Sequence, residues 1–228
     1  MNQHFELTMS WAAEYKKQGI PSSFRKSPSN ALVEFMTWLE KQGSQKKFAA
    51  DLGCGLGRNS FYLANRGFSV TAIDLLQENV DAVNKQAQLE KLSIRAFAQD
   101  VSKEWPIASN SLDIAIDIFC YKHILNKQAQ RSYRNELWKA LKLNGLYFIS
   151  LASINDGFYG PLLKTSPSEK QVTDPYANVS SYLYSMADLI DEFSDQFTVI
   201  EASEKSSVSP MHGKDYTRKV LNFIFKKK

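Results

Sequence analysis

The sequence predicts an α/β fold: a mostly parallel sheet with helices on both faces. Three observations carry it. From Lys47 to Leu151, apolar runs of strand length alternate with helix-length amphipathic stretches. The first run ends in the glycine-rich junction DLGCGLG, residues 51–57, which leads into a helix. Two further apolar runs, Phe197–Glu204 and Thr217–Phe225, follow each other without a crossover helix, so they pair antiparallel.

The elements follow in chain order. Residues 1–46 read as a helical cap. Asn30 caps a helix to about Gly43 whose apolar face holds Leu32, Phe35, Met36 and Leu39 at helical spacing. The prolines and serines of IPSSFRKSPS before it spell a loop. Lys47–Leu52 is the first strand. Arg58–Arg66 is a helix stopped by Gly67, and Phe68–Ile73 the second strand. Gln77–Leu92 is a helix striped by Val80, Val83 and Ala87. Ser93–Ala98 and Leu112–Phe119 are strands three and four. Asn126 caps a helix to Leu143, ended by Asn144-Gly145, and Leu146–Leu151 is strand five. Residues 153–183 have no clear period and form a long loop inserted in the domain 47–228, rich in serine and aromatics. A short helix, Met186–Phe193, is capped by Ser185.

Composition narrows the class. The chain has 228 residues, 43% of them hydrophobic, which suits one domain with additions. Two cysteines and three scattered histidines make neither a disulfide framework nor a zinc site. No apolar run reaches membrane length and the first 20 residues are too polar for a secretory leader, so a cytoplasmic protein is expected. The net charge of +4 is spread out, which argues against nucleic acid as a partner. A monomer or a homodimer is expected.

Function is read from strand ends. In a parallel sheet the ligand crevice lies outside the carboxyl ends of the strands. Gly53, Gly55 and Gly57 give the first turn room for a ligand to approach the backbone. No Gly-Lys-Ser or Gly-Lys-Thr follows, which excludes a P-loop, and the dinucleotide spacing fails at Arg58 or Ser60. Asp51 closes strand one, Asp74 strand two, and Asp100 follows strand three. These acids suit an ammonium group, a ribose diol and an adenine amine. Together they describe S-adenosylmethionine, a nucleoside without phosphate.

FAADLGCGLGRNSFYLANRGFSVTAIDL, residues 48–75, with AQDV, SLDIAIDIF and LKLNGLYFISL, clearly resembles the class I S-adenosylmethionine-dependent methyltransferases. The first of these motifs is most similar to the tellurite-resistance and thiopurine branch. The resemblance implies a Rossmann-like seven-stranded sheet, mostly parallel with an antiparallel last strand. It implies methyl transfer to a small-molecule acceptor, or else to RNA or protein, or cofactor binding without turnover. It implies cofactor contacts from Asp51, Gly53, Cys54, Gly55, Gly57, Asp74, Leu75, Asp100, Val101 and Asp117. Cys54 would serve through its backbone, and Asp51 would equally cap the glycine turn. Asp117 would lie near the methionine part or make structural hydrogen bonds. His123 is placed by the resemblance beside the transferred methyl group, as a base or as a packed helix-start residue. His212, on the closing turn, reaches the active-site rim or is a surface histidine. Phe24, Arg25, residues 153–183 and the closing turn are candidates for the acceptor wall. Asp174-Pro175-Tyr176 reads as a turn.

Overall fold

A computed structural model describes residues 3–43 and 47–228. Three helices come first: α1 (Gln3–Lys17), α2 (Pro21–Phe24) and α3 (Asn30–Lys41). Next come β1 (Phe48–Leu52), α4 (Arg58–Ala64), β2 (Ser69–Asp74), α5 (Gln77–Glu90), β3 (Ile94–Ala98), β4 (Leu112–Ile118) and α6 (Lys127–Ala140). The C-terminal part holds β5 (Leu141–Ala152), β6 (Gln171–Thr173), β7 (Ser180–Tyr182), α7 (Met186–Phe193), β8 (Phe197–Met211) and β9 (Lys214–Lys227). Among the described residues no helix is long and apolar enough to cross a membrane.

Seven strands form one sheet in the order β3-β2-β1-β4-β5-β9-β8, and β9 alone runs against its neighbours. The order reverses beside β1, whose two parallel neighbours are β2 and β4. The chain leaves β1 and β4 in opposite directions there, which opens a crevice at their carboxyl ends.

Side-chain alternation splits the core between the two faces. Ala49, Val70, Ala72, Ile114, Ile116 and Phe148 face Leu32, Phe35, Val80 and Val83 of α3 and α5. Ala50, Leu52, Ala115, Tyr147, Phe223 and Phe225 face Tyr133, Leu137, Leu189 and Phe193 of α6 and α7. The Phe35 ring stacks on Phe148 at 4.7 Å, so α3 packs directly on the sheet. A third cluster joins Ile20, Phe158, Tyr159, Val179, Leu183 and Met211. It anchors the 153–183 segment against the N-terminal turn and the tip of the β8–β9 hairpin.

Several boundaries differ from the sequence reading, each for a physical reason. Ser29 is the N-cap of α3, and Asn30 already belongs to the helix. The segment read as a loop contains α2, started by Pro21 at its first position. Helix α6 ends at Ala140, earlier than Leu143. Asn144, at φ +62°, belongs to an outward loop within β5. Strand pairing jumps there from Leu112–Leu141 to Ile114–Leu146. Strands β8 and β9 extend far past Glu204 and Thr217, because their serine-rich tip pairs without burying an apolar face. They turn at His212 and Gly213, both with positive φ, as a two-residue hairpin requires. Segment 153–183 is ordered by Asp156, whose carboxylate accepts from the Phe158 and Tyr159 amides and from Arg218 Nε at 2.7 Å.

Candidate active site

The glycine turn is built on β2. The amides of Gly53 and Cys54 both donate to the Ile73 carbonyl, at 2.8 and 2.9 Å. Gly53 has φ +76°, and a Cβ on it would stand 2.5 Å from Cys120 Cβ. Absence of that atom lets the chain after β4 close over the end of β1. Gly55 has φ +56°, and a Cβ there would overlap the Tyr15 hydroxyl of α1. Both positions need glycine twice over, for the backbone angle and for the approach. The room left by Gly57 is filled by Val83 and Phe61, so this glycine serves helix packing.

Asp74 ties the turn to the next strand. Its Oδ2 accepts from the Gly55 amide at 2.8 Å. Its Oδ1 accepts from the Leu76 amide at 3.0 Å and from Asn79 Nδ2 at 3.1 Å. A carboxylate has about four acceptor positions, so three such bonds leave capacity for a ligand hydroxyl. Burial raises the Asp74 pKa, and the three donors oppose that rise. Asp100 accepts from the Ser102 amide at 2.8 Å.

Asp74, Leu75, Asp100, Val101 and Gly53 line one cleft, of about 110 Å³. Its roof is α1, through Leu7, Trp11 and Tyr15. Among the described residues, no lysine or arginine lines it. The sequence reading missed this roof. Its signal was the four-residue recurrence Leu7, Trp11, Tyr15, which puts all three on one helix face.

The other expected cofactor residues lie behind the cleft wall. Asp51 accepts from Ser60 Oγ at 2.6 Å, and burial lifts its pKa to about 6. Asp117 is fully buried. It accepts from the Cys120 and Tyr121 amides and from the Tyr133 hydroxyl at 2.8 Å. Burial lifts its pKa to about 7 against those donors. Its structural reading is therefore the one the geometry favours. Burial, and next the Asp74 charge, push the Cys54 thiol well above its usual range, so it stays a protonated, inert thiol.

The two histidines part company. His212 lines neither this cleft nor the larger one beside it, and its side chain is 7% exposed. Its Nε2 sits 2.7 Å from the fully buried Asp174, and its amide donates to the Gly19 carbonyl. Asp174 in turn accepts from the Tyr176 and Ala177 amides, the turn expected of Asp-Pro-Tyr. His212 thus fastens the N-terminal segment to the hairpin tip. His123 lies on the turn after β4, where Nδ1 meets the Ser180 carbonyl at 2.7 Å. A carbonyl only accepts, so Nδ1 carries the proton and Nε2 keeps its lone pair. Burial, and then the Lys122 charge, hold His123 down at about 3, so the ring is neutral at physiological pH. Trp11 packs edge-on against it at 5.2 Å.

A second cleft, of about 350 Å³, adjoins the first. Trp11, Ser22, Phe119 and His123 line both. Phe119 holds φ +70°, a strained angle for a bulky residue, and strain of this kind gathers at functional sites. The larger cleft takes Arg25 from the expected acceptor wall, together with Tyr159 and Met211.

Comparison with known proteins places this geometry. Residues 49–145 match the family model described as "Methyltransferase domain". The chain is 36% identical over 120 residues to a ubiquinone biosynthesis O-methyltransferase of Rickettsia akari, covering 52% of this chain and 45% of that protein. It is 27% identical over 112 residues to a probable S-adenosyl-L-methionine-dependent methyltransferase, TehB, of Haemophilus influenzae, covering 49% and 38%. The matched segments span less than half the length of these curated relatives. Among solved structures, a Burkholderia thailandensis 1,6-didemethyltoxoflavin-N1-methyltransferase superposes with a TM-score of 0.71 at 20% identity. That match covers 98% of this chain and 88% of that one. The TehB crystal structure gives a TM-score of 0.64 at 19% identity, covering 88% and 62%. By these matches, residues 49–145 are similar to a methyltransferase domain, and the sheet order gives the chain the fold of the solved S-adenosylmethionine-dependent methyltransferases that it superposes on.

Proposed function

We propose that the chain transfers a methyl group from S-adenosylmethionine to a small-molecule acceptor by in-line displacement. One observation carries the reading: two clefts of different character meet at Trp11, Ser22, Phe119 and His123. Among the described residues the smaller has two aspartates and no lysine or arginine, which suits a positively charged nucleoside without phosphate and disfavours a dinucleotide.

The residues present fit the cofactor. Asp74 would accept from the ribose hydroxyls, and the Asp100–Val101 segment would border the adenine. Gly53, on the cleft wall, would border the remainder, while Gly55 brings the turn against Tyr15 of the roof. Bound S-adenosylmethionine supplies a methyl carbon on a cationic sulfur, which is already labile. The protein's share is then position and exclusion of water. Trp11 and Phe119 would shield the junction. His123 Nε2, kept free by the Ser180 bond, would accept a hydrogen bond from the acceptor's O–H or N–H and orient it. A ring this hard to protonate is a weak base, which favours acceptors that ionise readily by themselves.

Calorimetry with S-adenosylhomocysteine and with NAD tests the cofactor half. Saturable heat with the first and none with the second supports it, and the reverse sinks it. Release of S-adenosylhomocysteine with an acceptor panel tests turnover.

A further inference from the structure

The larger cleft has features that cofactor binding does not use. Its floor comes from β5 and β9, where Ser150 pairs with Asn222 and Ala152 with Val220. Alternation puts Ser150, Val220, Asn222 and Arg218 on one face. Deeper in the molecule that face is apolar, with Phe148 and Ile224 under α3. It turns polar where the cleft begins. Ser150 is 1% exposed, and its Oγ has no partner among the described residues; the same holds for Asn222 Oδ1. A buried polar atom without a partner costs stability, so a hydroxyl and an amide oxygen left so at one floor point to a ligand that satisfies them.

The walls are cationic. Among the described residues, Arg25, Arg58, Lys122, Lys205 and Arg218 line the cleft, against one carboxylate, Glu34, which pairs with Lys205. Lys122 is 2% exposed. Among the described residues its Nζ makes no hydrogen bond or ion pair; it lies 3.9 Å over the Tyr159 ring. Arg218 is held from behind by Asp156. Burial, and then the Arg218 charge, push the Lys122 amine down to about 7 against the pull of Asp156 and Asp174, which are already engaged by Arg218 and His212, so an incoming anion would favour its charged form.

We propose that this cleft is the acceptor site and that the acceptor is a small organic carboxylate. Its anionic end sits between Lys122 and Arg218. A neutral polar group meets Ser150 and Asn222, and the nucleophile points toward His123. The proposal rests on the methyl-transfer reading above for the word acceptor, but the anion site itself is testable alone.

The test is calorimetry of the full chain with small aromatic and aliphatic carboxylates, each against its matched amide. The first pair is 4-hydroxybenzoate and 4-hydroxybenzamide. Titrations run with and without S-adenosylhomocysteine. At least one carboxylate should bind about tenfold tighter than its amide, the worth of one charge-assisted hydrogen bond. Lys122→Met should erase that preference, raise the melting temperature, and leave S-adenosylhomocysteine affinity within about twofold. Ser150→Ala, which removes an unpartnered hydroxyl, should fold at least as well as the wild type while weakening carboxylate binding. The proposal is overturned if every carboxylate binds like its amide or not at all. It is equally overturned if Lys122→Met, or Ser150→Ala should the first fail to fold, leaves carboxylate binding intact. Failure to bind S-adenosylhomocysteine while the carboxylate preference persists sinks the methyl-transfer reading alone.

Discussion

Acidification should expose the buried, neutral state of His123. In the unfolded chain the imidazole titrates near 6.5; in the folded protein burial and Lys122 hold it at about 3. Above pH 6.5 neither state binds the proton, so His123 adds no pH dependence. Below 6.5 the unfolded chain takes a proton that the folded chain refuses, and stability falls as pH drops, down to about 3. The slope for one group is about 1.4 kcal/mol per pH unit, so the loss from pH 6.5 to 5.0 is about 2 kcal/mol. Asp51 and Asp117 act in the opposite sense. Their folded values, about 6 and about 7, lie above the ordinary 3.8. Their contribution is full below 3.8 and is lost as pH rises through 6 and 7. The wild-type curve alone therefore mixes opposing slopes. The comparison with His123→Gln removes the aspartate contributions, and glutamine still offers a donor to the Ser180 carbonyl. Urea denaturation of both proteins at pH 7.5, 6.5, 5.5 and 5.0 should show the wild type losing about 2 kcal/mol relative to the variant between about pH 6.5 and about pH 5.0. Parallel curves would refute the buried-neutral assignment.

Three more outcomes are expected. Asp74→Ala should weaken S-adenosylhomocysteine binding by about 1–3 kcal/mol, roughly 5- to 150-fold, by calorimetry, since it removes the ribose acceptor and frees the Gly55 amide. Gly55→Val should abolish cofactor binding and loosen α1, because the new side chain meets Tyr15; unchanged affinity would remove Gly55 from the site. His212→Leu should cost about 3 kcal/mol of unfolding free energy by leaving buried Asp174 without its partner. A variant as stable as the wild type would show that the fastening contributes little.

The sheet was legible because its signals are local. The central strands β1, β4 and β5 read as apolar runs, and the ends of β1, β2 and β3 are marked by a glycine or an aspartate at or just past the strand. The closing hairpin was half legible: Phe197 and Phe223 mark its buried base, while the serines of its tip resemble a loop. Asp74, Asp100 and Gly53 line the cleft as their strand-end positions implied. Asp51 and Asp117 also sit near strand ends, but sequence does not say which way a carboxylate turns, and both turn inward onto Ser60, Tyr133 and backbone amides. Lys122 escaped notice because one lysine in IFCYKHIL looks solvated until the 153–183 segment is folded over it. Trp11 and Tyr15 were hidden by distance, since nothing in α1 announces a partner in a glycine turn 40 residues later.

The most direct test of the central claim is a crystal structure with S-adenosylhomocysteine bound. The ribose hydroxyls should lie on Asp74, the adenine along Asp100 and Val101, and the sulfur at the junction of Trp11, Phe119 and His123, facing the larger cleft. A nucleoside seated instead against Lys122 and Arg218, with the aspartate-lined cleft empty, would contradict the account.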